Sequence, residues 1–116
     1  MITVYGIRNC DTVKKALKWL DQEGVDYQFH DYKKQGLEKK VLTAWCKQAD
    51  WELLLNRRGT TWRKLPDDVR ENINKTSAIP LMLEHTSMIK RPVIDTGDDL
   101  LVGFDLERYQ EIFAKS

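Results

Sequence analysis

The sequence carries no CxxC pair, no histidine and cysteine cluster at zinc-ligand spacing, and only two cysteines, Cys10 and Cys46, in 116 residues. A disulfide framework, a structural zinc site and a local dithiol are thereby excluded, and both thiols are expected to be reduced at rest. Neither charge is in excess, since 19 Lys and Arg face 18 Asp and Glu. That balance gives no electrostatic basis for generic binding to DNA, RNA or a membrane surface. No run approaches the roughly 18 apolar residues of a membrane span, and no cationic segment followed by an apolar one opens the chain. A cytoplasmic location is the expectation. Repeats, low-complexity tracts and linkers are also missing, so the length predicts one domain, residues 1–116, with a core that needs no staples.

What the chain does have is a strand-to-helix junction with a cysteine on it. Ile2 to Tyr5 reads as a short buried strand and Gly6 to Asn9 as a polar link. Val13, Ala16, Leu17 and Leu20 then recur at helical spacing up to Gly24, a residue suited to end a helix. Beyond it Val25, Tyr27 and Phe29 alternate with Asp26, Gln28 and His30, as in a second strand running to Tyr32. Two strands joined by a helix predict a parallel βαβ unit with a right-handed crossover.

The middle of the chain reads as helical. Glu38 to Ala49 sets Val41, Leu42, Trp45 and Ala49 on one face, and Pro66 precedes a short helix over Asp67 to Asn72. A helix from Ser77 to His85 would take Ser77 as its N-cap and keep Pro80 within its first turn. Strand character returns at Val93 to Asp95 and Leu100 to Val102 around a Thr96-Gly97-Asp98 turn, and Leu106 to Phe113 closes the chain as a helix. The order βαβ, helical insert, ββα is that of an α/β, thioredoxin-like domain with a core near residues 1–35 and 88–116 and an insert near 36–87.

Cys10 stands where the polar link meets the first helix. A free cysteine is often just a small buried residue, but Arg8, Asn9, Asp11 and Thr12 flank this one with polar groups. The start of a helix exposes unpaired N–H groups and the positive end of its dipole, and both favour the thiolate. Alone they fall short. A thiol near pKa 8.5 is about 3% ionised at pH 7, and bringing it to about 6.5 needs roughly 2.7 kcal/mol of preferential anion stabilisation. A helix terminus supplies about 0.3 to 1 kcal/mol, and at most about 2. A cation must therefore stand close: Arg8 and Lys14 are local candidates, and Arg91 joins them if the strand from Val93 runs beside the first one. Asp11 opposes them, while Thr12 can offer its hydroxyl and the helix-start amides to the sulfur.

Other residues carry weaker signals. Cys46 follows Leu42 by four residues beside Trp45 on the apolar side of its helix, which points to packing. His30 and His85 are isolated, and no metal site is expected. Arg57-Arg58-Gly59 ahead of Thr60-Thr61 suits an anion-binding turn as well as it suits a solvated basic loop. Pro92 follows Arg91, and only about 5 to 6% of such bonds are cis.

Four segments taken together resemble the ArsC/Spx family of thioredoxin-fold proteins, and most closely its YffB-like branch. They are Tyr5-Gly6-Ile7-Arg8-Asn9-Cys10-Asp11-Thr12, Asn56-Arg57-Arg58-Gly59-Thr60-Thr61-Trp62, Arg91-Pro92-Val93-Ile94 and Val102-Gly103-Phe104, in that order over nearly the whole chain. The resemblance implies a four-stranded mixed sheet with an inserted helical subdomain and a cis Pro92 beside the active cysteine. It also implies that backbone groups of the residue before that proline pair with a bound peptide or glutathione. Of the arginines that form the oxyanion site in the family's arsenate reductases, Arg91 matches the one before the proline and Arg58 the one in the insert. A third is missing, since the chain reads Gly103-Phe104-Asp105 where those enzymes place an arginine after the last strand. The CxxC switch frequent in the Spx regulators is absent too, because Val13 occupies the second position.

These features lead to the expectation of a monothiol, glutathione-dependent reductase without a bound cofactor. Cys10, Thr12 and Arg91 would serve catalysis, and Arg8, Asn9, Arg58, Arg91 and Pro92 would bind glutathione or another small anionic thiol or oxyanion substrate. Glutaredoxin is the expected protein partner. Two alternatives stand beside this reading: a redox-responsive regulator that docks on RNA polymerase as the Spx relatives do, and a true arsenate reductase.

Overall fold

The computed structural model of the chain describes residues 2–113; the first residue and the last three, which the expected domain includes, lie outside the described residues. In chain order the elements are β1 (Thr3–Gly6), α1 (Asp11–Gln22), β2 (Gln28–Asp31), α2 (Tyr32–Gln35), α3 (Lys39–Gln48), α4 (Trp51–Leu54), α5 (Thr60–Arg63), α6 (Asp67–Glu71) and α7 (Lys75–Glu84). A 3-10 turn (Thr86–Met88), β3 (Val93–Asp95), β4 (Leu100–Val102) and α8 (Leu106–Phe113) follow. They form two compact units: one runs to Gln35 and resumes at Arg91, and the other is Gly36–Lys90.

The first unit is built on a four-stranded mixed sheet in the order β2-β1-β3-β4, the thioredoxin-like arrangement. β1 pairs in parallel with β2, from Thr3 opposite Gln28 to Gly6 opposite Asp31. It pairs antiparallel with β3, Tyr5 facing Val93, and β3 closes a hairpin with β4. Val4, Ile94 and Leu101 are register partners and so share one face. Ala16 and Leu20 of α1 and Tyr109 of α8 complete that buried cluster, with Trp19, Phe104 and Phe113 packed around it. The helix α1 presents this face because Val13, Ala16 and Leu20 recur at three- and four-residue spacing. It ends at Gly24, whose φ of +69° allows the N–H of Val25 to reach the Leu20 carbonyl at 3.0 Å.

Two local features carry the sheet into the site. At the end of β1, a Cβ on Gly6 would lie 3.0 Å from a Val13 methyl, so the missing side chain lets the strand and the first turn of α1 approach closely. At the end of β2, the buried Asp31 accepts the Lys33 N–H at 2.9 Å and its own N–H donates to Gln35 Oε1 at 3.1 Å. This pair of bonds starts α2 and sets Tyr32. The Gly6 contact is testable. Val13 is wholly buried and stiff at χ1, so Gly6→Ala is expected to lower unfolding free energy by about 1 to 3 kcal/mol in urea denaturation, as overpacking does. Stability equal to that of the parent chain would show that α1 yields freely.

The second unit is helical, around Leu42 and Trp45 of α3, Leu54 of α4, Trp62 of α5 and Ala78 and Met82 of α7. Its C-terminal boundary lies three residues beyond the expected one. Ile89 bridges Leu55, and the Lys90 N–H donates to the Leu54 carbonyl at 2.8 Å, which ties these residues to the insert. The start of α7 also differs from expectation. Its N-cap is Asn74, and Ser77 is the third helical residue of a reciprocal capping box. Pro80 consequently lies inside α7, past the first turn. No helix among the described residues is long and apolar enough to cross a membrane, and none of their His, Cys, Asp and Glu side chains gather into a group of three or more placed to hold a metal ion.

Candidate active site

Cys10 is the N-cap of α1, with extended backbone angles of −139° and 124°, and its carbonyl accepts the first intrahelical bond from Lys14 at 2.9 Å. It therefore precedes the first turn instead of belonging to it. At an N-cap the side chain faces the N–H groups of the second and third helical residues, which usually meet a serine, threonine or aspartate oxygen. Here a sulfur takes that place. Partial burial pushes the Cys10 thiol up, but hydrogen bonding from the Val13 N–H, a hydrogen bond and the charge of the Arg91 guanidinium, and the Thr12 N–H together outweigh it. The net result is a thiol below its ordinary range, at a site still open to solvent.

The sheet explains how a residue 81 positions away reaches the sulfur. Because β3 runs antiparallel beside β1, the segment leading into β3 passes the end of β1 and the link that follows it. Arg91 is the last residue before β3's lead-in, Pro92, and the Arg91–Pro92 bond is cis. Cys10, Thr12 and Arg91 are thus brought together, with Pro92 adjoining. Thr12 contributes its backbone N–H.

Arg8 is placed differently from expectation. Its guanidinium lies over the Phe29 ring, 4.6 Å from the centroid, on the neighbouring strand, and the cation acting on the thiol is Arg91. Asn9 is exposed in the bend before the helix. Arg58 belongs to the second unit, where its N–H donates to Asn56 Oδ1 at 3.1 Å. There it lines a cleft of about 370 Å³ with Glu52, Leu55, Asn56, Arg57 and Lys90. Arg57 in that cleft pairs with Glu52 at 3.8 Å and lies over Trp62. Cys46 is half-buried, and burial pushes its thiol up despite the Lys75 charge.

Two contributors escape the sequence reading. The Val13 N–H is legible only once Cys10 is placed at the N-cap, three residues before it. Tyr32 reads from sequence as the end of a strand, yet in the fold it is wholly buried, stacks on Tyr5 at 6.5 Å and lies within the field of Arg91.

The segments that build this site lie within the match to the ArsC family model, which spans residues 5–112. The chain belongs to the ArsC family. Among solved structures, the YffB protein is 45% identical and superposes with a TM-score of 0.94 over 97% of this chain and 99% of that one. An arsenate reductase (ArsC) related protein from Brucella melitensis is 54% identical, with a TM-score of 0.78 over 97% of this chain and 93% of that one. A more distant relative, the global transcriptional regulator Spx of Streptococcus pyogenes, is 24% identical over 99% of this chain and 87% of its own length. This ArsC-family chain carries Cys10 at the helix start, Arg91 before the cis Pro92, and Val13 three residues after the cysteine.

Proposed function

We propose that this chain is a monothiol disulfide reductase that uses glutathione. The observation that carries the reading is Cys10 at a helix N-cap under the Arg91 guanidinium. The thiolate attacks one sulfur of a disulfide. A new S–S bond forms to Cys10, the old one breaks, and the departing thiolate takes a proton from solvent. Val13 offers no second thiol, so an external thiolate, from glutathione or a glutaredoxin, attacks the mixed disulfide, leaves with its partner group and restores Cys10. Glutathione is a co-substrate here and no cofactor is bound. Arg91 serves twice, lowering the thiol pKa and attracting a carboxylate of the incoming glutathione, with Arg8 and Asn9 available to an anionic substrate.

Features after β4 favour a disulfide over arsenate. Where the family's arsenate reductases place their third arginine, Gly103 has φ +78°, donates to the Pro92 carbonyl at 2.8 Å and accepts from the Tyr109 hydroxyl at 2.7 Å. The next side chain, Phe104, turns into the core edge-to-face with Tyr109, at 5.1 Å. Neither residue supplies a cation for a doubly charged oxyanion.

Incubation with oxidised glutathione followed by mass spectrometry tests the reading. One glutathione is expected on Cys10 and none on Cys46, and added thiol should discharge it. The adduct should vanish in Cys10→Ser. Labelling of Cys46 alone, or arsenate reduction with glutathione and glutaredoxin as fast as disulfide exchange, would sink it.

A further inference from the structure

Tyr32 poses a question that packing does not answer. The residue is 2% exposed, and its hydroxyl has no hydrogen-bond partner. An unpartnered buried hydroxyl is destabilising, and phenylalanine would fill the same volume without that cost. Its position is informative. Tyr32 directly follows Asp31, which pairs with Gly6 at the end of β1, and Arg91 lies two residues before Val93, which pairs with Tyr5 on the other side of that strand. Both therefore stand at the same end of β1, and the Arg91 charge acts on the Tyr32 hydroxyl. The Tyr32 ring is fixed from the strand side by its stacking on Tyr5, which itself packs on His30 at 4.9 Å. Arg91 and Tyr5 are the charged and titratable groups that act on the hydroxyl, and Asp95 acts on Tyr5.

Arg91 engages the Cys10 sulfur in this structure, and the Tyr32 hydroxyl is without a partner in that arrangement. A guanidinium carries five donors in a rigid fork, and the thiolate holds it by charge. That charge disappears when the sulfur is protonated and also when it enters a mixed disulfide. We infer that Tyr32 is a positioning residue of the Cys10 centre, whose hydroxyl accepts the Arg91 guanidinium whenever the sulfur is uncharged. Arg91 thus has two stations, the thiolate and the buried hydroxyl. The second favours the neutral thiol and the mixed disulfide over the thiolate, and it keeps the cation from closing on the sulfur that an external thiol must attack. This inference rests on the assignment of Cys10 as the ionised nucleophile.

The test is the pH profile of Cys10 alkylation by iodoacetamide in a Cys46→Ser background, with and without Tyr32→Phe. Loss of the second station removes a stabiliser of the neutral thiol. The apparent pKa of Cys10 is therefore expected to fall by about half a pH unit, with alkylation about threefold faster on the acid side. In an Arg91→Gln background the same change should leave the profile where it is. The thermal midpoint of Tyr32→Phe should equal or exceed that of the parent, since an unpartnered hydroxyl has gone. A profile that stays put or moves up, or one that moves equally without Arg91, overturns the two-station arrangement, as does a lowered midpoint with an unmoved profile. A parent profile centred at the ordinary thiol value overturns instead the assignment of Cys10 as the ionised nucleophile, so the two failures are distinguishable.

Discussion

Arg91→Gln is expected to move the alkylation profile of Cys10 up by about one to two pH units and to slow its reaction at pH 6 by about tenfold or more. The size follows from what remains. Without the guanidinium, burial still pushes the thiol up, and only the Val13 and Thr12 N–H groups oppose it. Hydrogen bonds to charged groups are worth about 1.5 to 3 kcal/mol, so losing the charged partner outweighs what a helix terminus supplies at about 0.3 to 1 kcal/mol. The glutathione adduct should still form in the variant above the shifted pKa, because the nucleophile is intact. Stability carries the same signature with a definite sign. A thiol depressed in the folded state adds stability as pH rises through its folded value, and that gain is complete above the ordinary thiol value. It is lost as pH falls back through the folded value. In Arg91→Gln this rise in stability should shrink. A profile unchanged from the parent would remove Arg91 from the site and leave the helix start as the whole cause.

Much of this site is legible in the sequence because its parts are local. Val13, Ala16 and Leu20 mark α1, polar residues mark the link before it, and Cys10 falls at the seam. Whether Arg91 or Arg8 meets the sulfur is not local. Both are arginines near candidate strands, and only the antiparallel pairing of β1 with β3 selects Arg91, while the ring of Phe29 holds Arg8. Tyr32 is hidden for the same reason, since its role depends on the parallel register of β2 and on the turn set by Asp31 and Gln35. Elsewhere α2 and, in the insert, α4, α5 and the 3-10 turn span only three or four residues each. That is too short for a hydrophobic period to emerge, and they exist because neighbouring segments cover them. The misplaced start of α7 has another cause. Ser77 is a good N-cap by type, but Asn74, three residues earlier, can bond it reciprocally, and two bonds outcompete one.

Alkaline unfolding is the second large expected effect. Burial pushes both Tyr32 and Tyr109 far above the ordinary tyrosine range, with Tyr5 adding to the first and Asp105 to the second, and Arg91 only partly offsetting the shift at Tyr32. Tyr109 is wholly buried, and its hydroxyl donates to the Gly103 carbonyl at 2.7 Å, a bond that needs the proton. In the unfolded chain both groups ionise near pH 10. Above that value the unfolded state binds fewer protons than the folded one, so stability falls with rising pH. Each tyrosine contributes a slope of about 1.4 kcal/mol per pH unit, and the slope does not depend on how far the folded values are raised. Cys10 adds none there, being ionised in both states. Urea denaturation of the Cys46→Ser protein between pH 9 and 11.5 should show a break near 10 and a steep decline beyond it. Tyr32→Phe and Tyr109→Phe should each remove one proton's worth of that slope, even though Tyr109→Phe also costs stability at neutral pH by leaving the Gly103 carbonyl without its donor. A flat profile through pH 11, or tyrosinate absorbance from all four tyrosines before the chain unfolds, would show that water reaches these hydroxyls and that the sheet does not seal them.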